Sequence, residues 1–193
     1  MSTQIKPGNW DTAAAITVNE ICSQVEETYS QPENGETEIV LDEEAIELEI
    51  ENHFDVLVDI LFHSDGNKVE EALIEQIFFH IACLSMRGYS LNAEKTHGNS
   101  AAIIYDTVLG KQRMYGHGNI ARFEIPGIAI RLNDKLERLK NLRKWDGPVL
   151  FEPMKDTWLD ICGYSVIAIM WLREWFLLNL KNQETTGKPT GAK

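Results

Sequence analysis

A chain of 193 residues with 44% hydrophobic and 25% charged side chains has the length and composition of one ordinary globular domain, which excludes wholesale disorder. Its net charge of −12 speaks against a general duplex nucleic-acid binder, because neutralising phosphates supplies most of that affinity. The charge is uneven: residues 1–100 hold 20 acids and 4 bases, whereas residues 101–193 hold 10 acids and 14 bases, so halves of opposite sign are able to dock within a monomer or across a dimer.

In chain order, residues 1–9 read as a polar tail. Asp11 is placed to cap a helix over Thr12–Tyr29, with Ala14, Val18, Ile21 and Val25 on one face. Gln31–Gly35 (QPENG) is a turn. Across Glu36–Leu61, Ile46, Leu48 and Ile50 alternate as in a strand, but the acidic helix formers around them favour a helix. Ser64–Asn67 breaks the chain. Lys68–Arg87 then predicts a helix striped by Val69, Leu73, Ile77, Ile81 and Leu84, with Gly88 as its C-cap. Asn92–Ser100 is a loop, and Ala101–Met114 a helix with Ile104, Val108 and Leu109 inward, stopped by Gly116–Gly118.

Pro126–Gly127 opens a helix over 128–144 that aligns Leu132, Leu136, Leu139 and Leu142, and Asp146–Pro148 ends it. Pro153 stands where a first-turn proline belongs, at the head of a long helix reaching Leu180. Its apolar run from Ser165 is interrupted by Arg173 and Glu174, too short and too charged to span a bilayer; a buried or interface helix fits. Residues 183–193 read as a disordered tail. With no convincing strand set, the expected class is all-α, a helical bundle with an acidic N-terminal helical extension, divided as 1–35, 36–100, 101–182 and 183–193. Cys22, Cys83 and Cys162 are widely spaced with apolar neighbours, the pattern of buried free thiols in a reducing, cytoplasmic setting.

The chemistry concentrates between Lys111 and Tyr164. Glu152, Asp156 and Asp160 are spaced four apart and share a helix face, where like charges repel unless a cation or the helix dipole offsets them. Asp160 lies two turns in, beyond the dipole's reach. Asp134 and Glu137 form DxxE on the preceding helix, where Asp134, Arg138 and Asn141 follow a four-then-three spacing opposite its leucines. Two helices joined by a short turn pack antiparallel, bringing both acid sets face to face. Converging carboxylates rimmed by Lys111, Arg131, Lys135 and Arg138 suit Mg²⁺, or Mn²⁺, holding a phosphorylated ligand. The plainer alternative is a solvated face of intrahelical salt bridges. KQRMYGHGNIAR offers Tyr115 for stacking and Asn119 for base edges, or else is simply a basic helix terminus with a glycine stop. The five histidines make no HxxxH or HExxH pattern, which argues against zinc; His80 reads as a packed histidine, and His117 is the one placed near a site.

The runs YGHGNIARF, GIAIRLNDKLERLKNL and EPMKDTWLDICGYSVIAIM resemble the nucleotide-modification-associated domain 1 family of bacteriophages, over roughly Ile104 to Met170. The matching positions are Tyr115, Gly116, Asn119, Arg131, Asp134, Lys135, Arg138, Asn141, Glu152, Asp156, Asp160 and Tyr164. The acidic two-helix pattern is similar, more distantly, to the MazG-like all-α nucleoside triphosphate pyrophosphohydrolases, with DxxE in place of ExxE and DxxxD in place of ExxD.

The resemblance implies a MazG-like helical core at 101–182 that acts on a dNTP or NTP, forms a homo-oligomer and, if phage-encoded, works in the host cytoplasm. Asp134, Glu152, Asp156 and Asp160 would hold Mg²⁺, and Glu137 or Glu152 would activate water. Lys111, Arg131, Lys135 and Arg138 would bind phosphate; Tyr115, Asn119, Asn141 and Tyr164 would bind the nucleotide. The alternative is a non-catalytic nucleotide-binding or protein-interaction module of a phage base-modification or counter-defence system, with the acidic half as its partner surface.

Overall fold

A computed structural model describes residues 6–29, 41–63, 71–145, 147 and 153–181. Among them are six α-helices and no strand: α1 (Trp10–Tyr29), α2 (Glu43–Val58), α3 (Glu71–Asn92), α4 (His97–Tyr115), α5 (Gly118–Arg143) and α6 (Met154–Leu172). A single π-helical turn, Asp59–His63, extends α2. The all-α bundle is therefore what the chain forms. The expected turn at Gln31–Gly35, the break at Ser64–Asn67, the helix starts at Glu36 and Lys68, the end at Asp146–Pro148, the tail at 183–193 and Glu152 fall outside the described residues, wholly or in part.

Helix α6 is the centre of the bundle. It lies against α1, α3, α4 and α5, with its most extensive interface on α3. That position follows from its sequence: Trp158, Ile161, Cys162, Val166, Ala168, Ile169 and Met170 are wholly buried, so apolar side chains must be covered on several sides. Helix α1 buries Ala14, Val18, Ile21 and Val25, the expected stripe. The segment that alternates like a strand is helical, with Ile46 and Ile50 inward and Leu48 exposed, because a four-residue step places the first two on one face. Cys22, Cys83 and Cys162 are free and buried.

Several local expectations are corrected. The N-terminal cap of α1 is Asn9, whose Oδ1 accepts the Thr12 amide at 2.9 Å; Asp11 instead accepts the Lys181 amide, tying the last described residue to α1. Gly88 is not a C-cap. Helix α3 runs on to Asn92, and a Cβ on Gly88 would stand 2.8 Å from the buried Trp158 ring, so glycine here permits the close α3–α6 crossing. Leu73, expected inward, is exposed.

Thr96 caps α4 by accepting the Asn99 amide, starting that helix four residues early. Gly116 ends it at φ +62°, where L side chains are disfavoured. Within α5 the non-helical Glu124 (φ 51°, ψ −146°) separates a short first stretch from Gly118, which was not expected, from the long helix that starts afresh at the expected Pro126–Gly127; Pro126 falls in its first turn, where the missing N–H breaks no ladder. The final helix stops at Leu172 rather than Leu180, since Glu174 adopts φ 60° and the chain turns back so that Trp175 and Phe176 enter the core.

Candidate functional site: a cationic cleft between α4, α5 and α6

Helices α5 and α6 pack antiparallel in a regular register. Lys135 Nζ lies 2.6 Å from Asp160 Oδ2, and Arg138 Nε donates to Thr157 Oγ1 at 3.1 Å. One turn the other way, Arg131 and Tyr164 line the same cleft. Each step of three or four along α5 is thus matched by an equal step back along α6. The strip that α5 turns toward α6 is basic, made of Arg131, Lys135 and Arg138, and it meets Tyr164, Asp160 and Thr157.

The acids of α5 are not on that strip. Asp134 is exposed, and Glu137 is exposed and pairs with Lys140 at 2.9 Å. Asp156 is half-buried and close enough to Tyr89 of α3 to help burial raise the phenol's pKa. Asn141 is exposed near the end of α5. Among the described residues, no three His, Cys, Asp or Glu side chains converge on a point where a metal ion would sit.

Asp160 is the focus of the interface. Lys135 holds its Oδ2, and Lys111 of α4 donates to its Oδ1. With both oxygens engaged by ammonium groups, one carboxylate joins three helices. Burial pushes the Asp160 carboxyl up, but the hydrogen bonds of Lys111 and Lys135 outweigh it and hold the pKa below its ordinary value. Asp160 is therefore ionised in the fold, and the triad carries one net positive charge.

Beside this triad opens a cleft of about 340 Å³, lined by Lys111, Gln112, Tyr115 and Gly116 of α4 and its end, Asn119, Ile120 and Arg131 of α5, and Tyr164 and Ile167 of α6. Local geometry explains the gathering. Lys111 and Tyr115 are one helical turn apart, Gly116 reverses the chain, and Asn119 returns in the first turn of α5. Tyr164 and Ile167 lie one and two turns beyond Asp160 on the same face of α6. Tyr115 is exposed, Tyr164 and Arg131 half-buried. Among the described residues, Arg131 has no ion-pair partner, unlike Lys111 and Lys135.

Of the residues singled out from the sequence, the cleft collects Lys111, Tyr115, Asn119, Arg131 and Tyr164, with Lys135 and Asp160 beside it. It does not collect Asp134, Glu137 or Asn141, while Glu152 lies outside the described residues. Gln112 was not foreseen: it lines the cleft, is only 5% exposed, and its amide nitrogen has no hydrogen-bond partner. Its sequence signal was slight, an amide one residue after Lys111 in the basic run. His117, expected near the site, stacks edge-on against Phe176 instead, 5.3 Å between centroids. Comparison of the chain with protein-family models, with curated proteins and with solved structures finds no match.

Proposed function

We propose that this chain binds a phosphorylated nucleotide in the cleft between α4, α5 and α6. What supports this reading is the convergence, from three helices, of Arg131, Lys111, two tyrosines, Asn119 and the unpartnered amide of Gln112 on a single space. A guanidinium with no ion-pair partner among the described residues suits phosphate oxygens, which it takes two at a time. Tyr115 offers an exposed ring face to a base, and base–aromatic stacking is worth about 1–3 kcal/mol. Asn119 and Gln112 offer amide edges to the base or sugar. Lys111 and Lys135, fixed on Asp160, supply a standing positive field beside the ligand. The resemblance to the phage nucleotide-modification family supports the same ligand class, since Tyr115, Gly116, Asn119, Arg131 and Tyr164 are motif positions.

The binding module is preferred to the magnesium-dependent pyrophosphohydrolase. A magnesium ion needs near-octahedral oxygen ligands, and here it would have to displace two ammonium groups from Asp160 and recruit Asp134 from an exposed position. The described acids do not fit that ion as they stand, so no hydrolytic step is assigned.

Titrating the full chain with dNTPs and NTPs by calorimetry, with and without Mg²⁺, tests the proposal. Magnesium-independent binding, weakened roughly tenfold or more by Arg131→Ala, is expected. Absence of binding to every nucleotide removes it. Release of a monophosphate and pyrophosphate only with Mg²⁺, lost in Asp160→Asn, establishes the hydrolase in its place.

A further inference from the structure

Away from the cleft, we propose that His53 of α2 and His80 of α3 form a two-histidine clip for a divalent transition ion of the zinc type. His53 Nε2 and His80 Nδ1 stand 3.3 Å apart, with ring centroids 5.2 Å apart and planes at 87°. Two imidazole nitrogens bound tetrahedrally to one zinc at about 2.0–2.1 Å lie about 3.3–3.4 Å from each other. The N···N separation is already set in the folded chain, and turning each ring off the N···N line by about 35° brings both lone pairs to one tetrahedral ion.

The tautomer of His53 is set as well. Its Nδ1 lies 2.8 Å from the Glu49 carbonyl oxygen, which only accepts, so the proton resides on Nδ1 and the Nε2 lone pair faces His80. A carbonyl or carboxylate on the far nitrogen is the usual brace of a metal-ligating histidine. In the free protein His80 donates its Nδ1–H to that lone pair. When the ion binds, this proton moves to His80 Nε2, so the neutral pair loses no proton and one N–H···N hydrogen bond gives way to two metal–nitrogen bonds.

The surroundings provide space and charge. The pair borders a cavity of about 500 Å³ that Gln24, Thr28, Tyr29, Glu49 and Cys83 also line, which leaves room for water or an added ligand to complete the shell. Glu49 and the rest of the acidic α2 draw cations toward it. Burial, and then neighbouring His53, lower the pKa of His80 and keep it neutral, the form that binds metal. Burial pushes the Cys83 thiol up to about 12 in the free protein, so the two imidazoles are the groups already in the metal-binding form. The histidines are 27 residues apart on different helices, which is why no spacing motif announces them.

Cobalt titration of the full chain, free of any affinity tag, tests the clip. One Co²⁺ per chain is expected, with the visible bands of a four-coordinate ion that Zn²⁺ displaces. His53→Gln and His80→Gln should each weaken binding roughly tenfold or more, while His63→Gln on the exposed turn leaves it unchanged. On the native protein, nitrogen hyperfine coupling from two imidazoles to bound Cu²⁺ reads the ligands without any substitution. Failure of the native chain to bind Co²⁺, a thiolate charge-transfer band in the near ultraviolet, or copper spectra lacking imidazole nitrogen overturns the proposal.

Discussion

The bases of α5 meet two different fates within one helix. Toward its end they are matched by acids of α2: Lys140 lies 3.2 Å from Glu51, and Arg143 lies 2.7 Å from Glu47 and donates to the Glu43 carbonyl at 3.1 Å. These pairs join the acidic half of the chain to the basic half, and Arg173 does the same at the other end, gripping Glu20 and Glu75. About three turns earlier in α5, Arg131 faces the cleft with no ion-pair partner among the described residues. The first seam fixes the helices; the second leaves positive charge available to a ligand. Charge count alone does not separate a structural cation from a binding one, and the identity of the neighbour does.

The largest expected effect is on the structural seam. Arg143→Ala leaves Glu47, only 7% exposed, without its counter-charge and should cost about 3 kcal/mol in urea unfolding, with nucleotide affinity unchanged. Burial already raises the Glu47 pKa against the pull of Arg143, so protonation is this carboxyl's escape. The deficit of the variant should therefore shrink as the pH falls. A loss of nucleotide binding at unchanged stability would erase the distinction between the two regions.

Arg131→Ala should do the opposite, lowering affinity roughly tenfold while shifting the thermal midpoint little, as expected for a residue with no ion-pair partner among the described residues.

Asp160→Asn sharpens the boundary between the regions, because Asp160 serves both. Its folded pKa lies below the ordinary value, so the stability it contributes is complete above the ordinary aspartate range and is lost as the pH falls through the folded pKa. In the variant that acid-limb loss should flatten, at a cost of about 1–3 kcal/mol near neutrality. Release of Lys111 should strengthen phosphate binding, measured by the same calorimetry; weaker binding would show that the carboxylate contacts the ligand directly or through a metal.

The smallest effect is expected at the bend of α5. Glu124→Gly relieves a side chain at φ 51° and should stabilise the fold by up to about 1 kcal/mol, leaving both seams intact. Destabilisation there would mean that the Glu124 side chain makes a contact worth more than the strain.

Much of the helix content was legible from local spacing, since periods of three and four are visible over a single turn. Val18, Ile21 and Val25 on α1, Ile104 and Val108 on α4, and Leu132, Leu136 and Leu139 on α5 are buried where their spacing puts them. Errors fell where a residue's partner is distant. Gly88 resembles a helix stop until Trp158, seventy residues later, occupies the space of its missing side chain. The C-terminal helix looked continuous to Leu180, but the chain turns after Leu172 because Trp175 and Phe176 reach the core only by folding back.

The same division governs the candidate sites. Sequence by itself determined that bases, amides and tyrosines crowd the stretch from Lys111 to Tyr164, because composition and spacing are properties of the chain. Only the tertiary structure decided which face each helix turns to its neighbour. A rotation of about 100° per residue separates Asp134 from Lys135 on α5, and packing against α6 selects the lysine. That selection sets Lys135 against Asp160 and Arg138 against Thr157, and the packing of α2 on α3 likewise brings His53 to His80 from helices whose sequences carry no sign of each other.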